Sequence, residues 1–446
     1  MRNRTLLVVA VCVLTVIVFN CYLLWSSISH TQRRAISSTC EKSEAEFFRR
    51  ITNTPSIFDS QMEFLKAALG LPNDHLFTYE RIKFQGTGNI WLAVLRNVLN
   101  TNPHHFKGTK EEKRDDVIDF NLENSCHPQS VSRTNDKANI QNGFFFNERT
   151  GFSLNDQPEH DSYSAGRKVD TAVMCRLMDT GSDIMQCPTT YIVSPFQNEI
   201  AEFKREAANT GGQWIWKPDC GTHGANLMIS SNISAIEEHA LDRIELATGL
   251  GGSRGTGGVI QRVLPKPFLV EGKRFSIRMH AGVVNREPFW GFMSSHSFVA
   301  LAAGSDNTNT VEDSSIITNV HFNTGIVNGF SQKSLMEYLS KQNLLSVWLN
   351  QTLPVMGRGL QEFLSKEHGL SAEPTRRFEL YGCDILVDED LHPWLLECNR
   401  CAGVKKFLKN RIALYEEFAY ILLYSRYKDN KVPLLNYWQP FIQQSG

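Results

Sequence analysis

Three oxygen-bearing side chains, Asp384, Glu397 and Asn399, stand in two apolar runs whose spacing would bring them together. The runs belong to F-E-L-Y-G-C-D-I-L-V-D-E-D-L-H-P-W-L-L-E-C-N-R-C-A-G, from Phe378 to Gly403, and an acidic turn separates them. Side chains alternate along a strand, so Tyr381, Cys383, Ile385 and Val387 share one face and Asp384 takes the other. In the second run Trp394, Leu396 and Cys398 share a face, and Glu397 and Asn399 point the opposite way. A hairpin with Val387 opposite Trp394 sets Asp384 opposite Glu397. Hard oxygen ligands grouped like this suit Mg²⁺, which is held by one or two carboxylates while nucleotide phosphates and water complete the octahedron. A plain hairpin with solvent-facing acids has the same pattern, but the apolar residues around Glu397 argue for burial, and a buried carboxylate needs a partner.

Candidate cationic partners lie upstream. From Arg274 to Ala281 the chain alternates Arg274, Ser276, Arg278 and His280 with Phe275, Ile277, Met279 and Ala281. That is a strand with one apolar and one basic face, and arginine's planar fork suits phosphate or carboxylate. An ordinary solvated strand face shows the same period. Further upstream, W-I-W-K-P ends in Lys217-Pro218 and is followed by a loop containing Gly221 and Gly224. Glycines allow close backbone approach to phosphate, although the loop matches neither the phosphate-loop nor the dinucleotide pattern.

Taken in order, these segments resemble the tubulin–tyrosine ligase family of ATP-grasp ligases. The resemblance rests on W-I-W-K-P with its Gly loop, V-I-Q-R-V-L-P-K-P-F-L-V with K-R-F-S-I-R, I-T-N at Ile317–Asn319, and Y-G-C-D-I-L-V-D with P-W-L-L-E-C-N. It implies an α/β ATP-grasp fold with nucleotide between two subdomains; the N-terminal transmembrane helix expected ahead of it rests on the apolar stretch at Leu6–Trp25, not on the resemblance. It implies ATP phosphate contacts from Lys217, Gly221, His223, Gly224, Ala225 and Asn226. It further implies an adenine site along Gln261, Arg262, Val263 and Leu264, catalytic roles for Arg274 and Arg278, and nucleotide contacts from Arg274, Thr318 and Asn319. The metal ligands it implies are Asp384, Glu397 and Asn399. The activity it implies is ATP- and Mg²⁺-dependent addition of an amino acid, glutamate above all, to a protein carboxylate through an acyl phosphate. Tubulin is one candidate acceptor.

The chain also departs from that pattern. Ser276 stands where the family usually has Asp, and His223 where it usually has a basic residue. Cys398-Asn399-Arg400-Cys401 replaces V-N-x-S-P. Two alternatives stay open: a nucleotide-binding scaffold without transfer, and a ligase acting on a luminal protein or a small molecule.

The 446 residues are enough for several subdomains, and a net charge of −1 carries no nucleic-acid signal. Leu6–Trp25 is a nearly unbroken apolar stretch of a length that spans a bilayer, so membrane attachment through an uncleaved anchor is expected. The short basic tail ahead of it fits a signal anchor with a luminal catalytic part, whereas ATP and tubulin fit the cytosol. Sequons stand at Asn232 and Asn350. Cys398 and Cys401 form a lone C-x-x-C, read as two separate thiols rather than a zinc or redox pair.

The remaining organisation is a tail and anchor over 1–29, a stem over 30–72, an N-terminal subdomain over 73–187, a central ATP-grasp subdomain over 188–264, a catalytic subdomain over 265–427 and a tail over 428–446. Gly86–Asn100 reads as a turn and a core helix. Thr101–Gly166 reads as polar loops in which His104 and His105 face water. A capping box at Ser234 opens a helix to Gly249, and a glycine-rich connector follows. Leu335–Gly369 reads as helix broken at Pro354, and Lys405–Tyr427 as an amphipathic closing helix.

Overall fold

The computed structural model describes residues 57–80, 90–109, 120–121, 145–146, 168–179, 181, 183–194, 197–219, 226–249, 257–286, 289–305, 313–318, 329–366, 377–399, 411–427 and 435–441. The expected anchor at Leu6–Trp25, the Gly86 turn, and Gly221, His223, Gly224, Ala225 and Asn319 lie outside these. Among the described residues no helix is long and apolar enough to cross a membrane. The chain divides into two units, Met1–Ala68 and Leu69–Gly446. Helix α1 (Ile57–Ala68) belongs to the first. Everything below belongs to the second.

A small parallel sheet places β1 (Phe77–Glu80) between β2 (Phe106–Thr109) and β3 (Phe120–Asn121). Helix α2 (Ile90–Thr101) buries Leu95, Val98 and Leu99. The polar stretch expected as loops therefore carries strands. Phe106 packs against Phe77, and His105, expected in water, is 4% exposed, its backbone tied to Asn102 and Phe77. His104 is exposed as expected.

The central sheet is antiparallel, in the order β5 (Thr190–Val193), β8 (Gly258–Arg262), β6 (Trp214–Pro218), β7 (Met228–Ser230). Helix α3 (Lys168–Arg176) precedes it in the chain. Helices α4 (Ile200–Thr210) and α5 (Ile233–Gly249) supply Phe203, Ile236 and Ala240 to a core around Trp214, Trp216 and Ile260. The cap of α5 is Asn232 rather than Ser234. Its Oδ1 accepts the backbone N–H groups of Ser234 and Ala235 at 3.1 and 3.3 Å, an arrangement that satisfies otherwise orphaned donors.

The largest sheet is organised on the long strand β9 (Phe275–Arg286). One edge of β9 pairs with β11 (Phe298–Leu301) and then β10 (Phe289–Ser294); the other pairs with β13 (Arg377–Val387). β12 (Gly329–Ser331), β14 (Pro393–Asn399), β15 (Trp438–Pro440) and β4 (Phe145–Phe146) extend it. The apolar face of β9 meets α6 (Gln332–Lys341) and α7 (Leu353–Ser365) in a core with Leu335, Leu339, Met356, Leu360 and Phe363. Pro354 does not break the helix. It occupies the first turn of α7, directly after a π-helical turn at Trp348–Thr352 in which Leu353 N–H bonds back to the Trp348 carbonyl, so the helical path continues past the ring.

Helix α8 (Arg411–Tyr427) lies against the opposite face. It is not amphipathic: Phe418 to Tyr424 are all buried. Phe418 occupies the space beside Gly282 of β9 that a Cβ would need. The mixed helix-and-sheet architecture fits the expected α/β ATP-grasp arrangement.

Candidate functional site

The basic face of β9 is not a solvated strand face. Arg274, Ser276 and His280 are 5%, 6% and 1% exposed. Strand register builds two rows across β9, β13 and β14. Arg278 is opposite Asp384, which is opposite Glu397; beside that row, His280 is opposite Gly382, which is opposite Asn399. Asp384 therefore faces Glu397 as the alternation predicts.

The rest of the hairpin does not follow the expected register. Ile385 pairs with Leu395 and Leu386 with Trp394, so Leu396 is an extra residue in β14. This bulge turns Leu395, rather than Leu396, into the core beside Cys398, both 0% exposed, and leaves Trp394 and Leu396 half-buried. Cys398 is not a free thiol: it forms a disulfide with Cys383 directly across the pair. A second disulfide joins Cys175 and Cys187.

Arg278 grips Asp384 with two nitrogens, Nε to Oδ1 at 2.5 Å and Nη2 to Oδ2 at 2.6 Å. This fork-to-carboxylate geometry is charge-assisted. Burial opposes the arginine's charge, but Asp384 more than compensates and raises its pKa. Glu397 accepts from Asn399 Nδ2 at 3.1 Å and lies 3.7 Å from Lys168 Nζ. Burial pushes the Glu397 carboxyl up, yet Lys168, Lys217, the Asn399 hydrogen bond and Arg278 together bring it down to about 2. It is a carboxylate at any ordinary pH.

Lys217 reaches the same region from β6. Its Nζ donates to Gln261 Oε1 at 2.6 Å, and Gln261 Nε2 donates to Thr190 Oγ1 at 3.1 Å, linking three strands of the central sheet. Burial lowers the Lys217 pKa to about 8, opposed by Glu397 and Asp384. Two residues on, buried Asp219 accepts the Val169 N–H at 2.9 Å and so fixes the first turn of α3, the turn that presents Lys168.

The other expected residues fall around this centre. Arg274 donates Nη1 to the Leu264 carbonyl at 3.0 Å. Its guanidinium thus braces the Gln261–Leu264 segment, in which Gln261, Val263 and Leu264 are buried and Arg262 is half-buried. Thr318 donates to Ser276 at 2.8 Å. Asn226 is exposed in a left-handed turn, φ 59°. Lys168, Asp219 and Thr190 escape a motif search because tertiary packing brings them in. His280 stood in the basic face but had no assigned role. Among the described residues neither of its buried ring nitrogens has a hydrogen-bond partner, and burial and Arg278 lower its pKa to about 4.

The donor set fits a hard divalent cation with a polyanion. Two carboxylates and a carboxamide supply hard oxygens, and Lys168, Lys217 and Arg278 exceed the carboxylates in charge, which leaves room for phosphate.

Comparison with known proteins gives the same direction. The family model for the tubulin-tyrosine ligase family matches residues 153–431, more than half of the chain. The chain is 26% identical over 234 residues to a probable tubulin polyglutamylase, ttll-9, of Caenorhabditis elegans, a match covering 50% of this chain and 53% of that protein. It is 22% identical to tubulin glycylase 3A of Drosophila melanogaster over 42% of this chain and 19% of the relative. To the tubulin polyglutamylase TTLL6 of Mus musculus it is 22% identical, over 48% of this chain and 26% of the relative. The chain thus spans about half or less of the length of these relatives. It belongs to the tubulin-tyrosine ligase family.

Proposed function

We propose that this chain is an ATP- and Mg²⁺-dependent ligase that joins an amino acid, glutamate first, to a side-chain carboxylate of a protein. The observation that carries the reading is the row Arg278–Asp384–Glu397, on which Lys168 from helix α3 and Lys217 from strand β6 converge. ATP, when bound, would supply the phosphoryl group that activates the acceptor carboxylate, and Mg²⁺ would neutralise charge on its phosphates. Asp384, Glu397 and Asn399 are the residues that would hold the metal. Gln261 to Leu264 would line the adenine, and Arg274 keeps that segment in shape.

Lys217 would lie along the phosphates, with Gln261 orienting its ammonium. Arg278 spends two donors on Asp384, which aims the remainder of its fork at an anionic substrate group. The core behind β13 and β14 excludes water from one side of the site. The names of the relatives make tubulin the reference acceptor against which other acidic proteins are compared, and glutamate the first amino acid, with glycine next.

A second reading is a scaffold that binds nucleotide without transfer. It is favoured by Ser276, which takes the place of an acidic residue and is occupied by Thr318. ADP release measured over a panel of amino acids, with tubulin and other acidic proteins as acceptors, separates the two. Release that needs both amino acid and acceptor supports the ligase. Nucleotide binding without release for any combination supports the scaffold.

A further inference from the structure

Both disulfides among the described residues sit on elements that build the site. Cys175 lies on α3, the helix that presents Lys168, and its bond to Cys187 ties that helix to the segment entering β5, which carries Thr190. Cys383 precedes Asp384 on β13; Cys398 lies between Glu397 and Asn399 on β14; and the two cysteines face each other. The register changes at the next position, where Leu396 is the extra residue. A one-residue slip would turn Glu397 to the core face, so the covalent rung stands where slippage would remove the carboxylate pair.

A protein in a reducing compartment would hold these four cysteines as thiols, because glutathione and thioredoxin keep cytosolic cysteines reduced. Two independent bonds, one in each half of the site, are the pattern of an oxidising compartment. We infer that the Cys383–Cys398 bond holds the metal-side hairpin in register, and that the ligase works in an oxidising compartment on a protein acceptor exposed there, which excludes tubulin. The positioning role rests on the ligase reading above; the compartment does not. Each bond forms by exchange: two thiols of the chain become a disulfide while the disulfide of an oxidoreductase of that compartment becomes two thiols, its electron pair and protons coming from the chain. The apolar stretch at Leu6–Trp25 and the exposed Asn232 sequon agree with delivery to such a compartment.

The test expresses the full chain in animal cells, alkylates free thiols during lysis, and maps cross-linked peptides by mass spectrometry without reduction. Cys175–Cys187 and Cys383–Cys398 peptides are expected; alkylation of all four as free thiols overturns the inference. Binding of a non-hydrolysable ATP analogue is then titrated with Mg²⁺ on the native chain and on C383V/C398V, whose apolar pair suits the core. About tenfold weaker Mg²⁺-dependent binding, with unchanged circular dichroism and cooperative unfolding, is expected. Unchanged binding overturns the positioning role and leaves a staple only. If C383V/C398V does not fold, dithiothreitol treatment of the native chain supplies the same comparison. Mapped bonds in a native chain that binds no nucleotide would defeat the ligase reading and the positioning role, while the compartment stands.

Discussion

Asp384 and Glu397 face each other across β13 and β14, and each is held by a different cation: Arg278 from the neighbouring strand and Lys168 from a helix in another layer. Arg278 and Lys168 therefore aim the two carboxylates, and a change in either cation should be felt in metal-dependent binding.

Arg278→Lys tests the first of these holds. A lysine ammonium cannot reproduce two parallel bonds to Asp384. Loss of a charge-assisted hydrogen bond costs roughly 1.5–3 kcal/mol, about ten- to a hundredfold in binding. Mg·nucleotide affinity measured by calorimetry should fall by that factor, and a lysine variant with parental affinity would make Arg278 dispensable.

Lys217 sets a pH dependence. With its pKa lowered to about 8, it carries its proton below pH 8 and loses it above. A polyphosphate favours the protonated form, so affinity should be level below pH 8. It should then fall about tenfold per pH unit toward the ordinary lysine value of ~10.4. The empty protein should gain stability over that same interval, because the unfolded chain there binds more protons than the folded one. Lys217→Arg should flatten the alkaline limb of the binding profile. An unchanged limb would place the titration elsewhere.

A structural prediction concerns Glu417, buried on α8. Its carboxylate accepts the backbone N–H groups of Asn436 at 2.8 Å, Tyr437 at 2.5 Å and Trp438 at 3.1 Å, latching β15 to the helix. Glu417→Ala should cost about 3 kcal/mol or more, since it strands buried donors. Thermal unfolding should show Tm lowered by several degrees. No shift would mean that β15 is held by its pairing with β10 and by Trp438, whose indole N–H donates to the Leu414 carbonyl, without need of Glu417.

The Asn232 sequon bears on the compartment. The residue is exposed at the start of α5, and Asn350 of the second sequon is exposed as well, so a luminal chain should carry an endoglycosidase-sensitive glycan that Asn232→Gln and Asn350→Gln together remove. A chain without any such shift would contradict the oxidising compartment.

What the sequence showed and what it hid follow from the range of the forces involved. The period-two patterns of β9 and β13 are local, so the rows that carry Arg278 and Asp384 were readable, and so was the pairing of Asp384 with Glu397. The bulge at Leu396 was not, because a strand pattern cannot reveal where its partner skips a residue. Lys168 lies in a stretch with no phosphate motif, and only the packing of α3, fixed by Asp219, brings it to Glu397. Cys398 stands close to Cys401 in sequence, whereas its disulfide partner Cys383 emerges only from strand register. The basic face of β9 is equally suited to solvent by its pattern, and the burial of His280 arises only in the assembled sheet. Pro354 looked like a helix break because the π turn that feeds into it leaves no signature in composition.

The measurement that bears most directly on the central claim is calorimetric titration of Glu397→Gln with an ATP analogue in the presence and absence of Mg²⁺. The substitution is nearly isosteric and keeps the contact with Asn399, while removing the charge on which Lys168 and Lys217 converge. Mg²⁺ should strengthen binding to the parent chain, and this gain should fall at least about tenfold in the variant, with circular dichroism and Tm little changed. An equal Mg²⁺-dependent gain in both chains would contradict the assignment of Glu397 and Asp384 as the metal-holding pair.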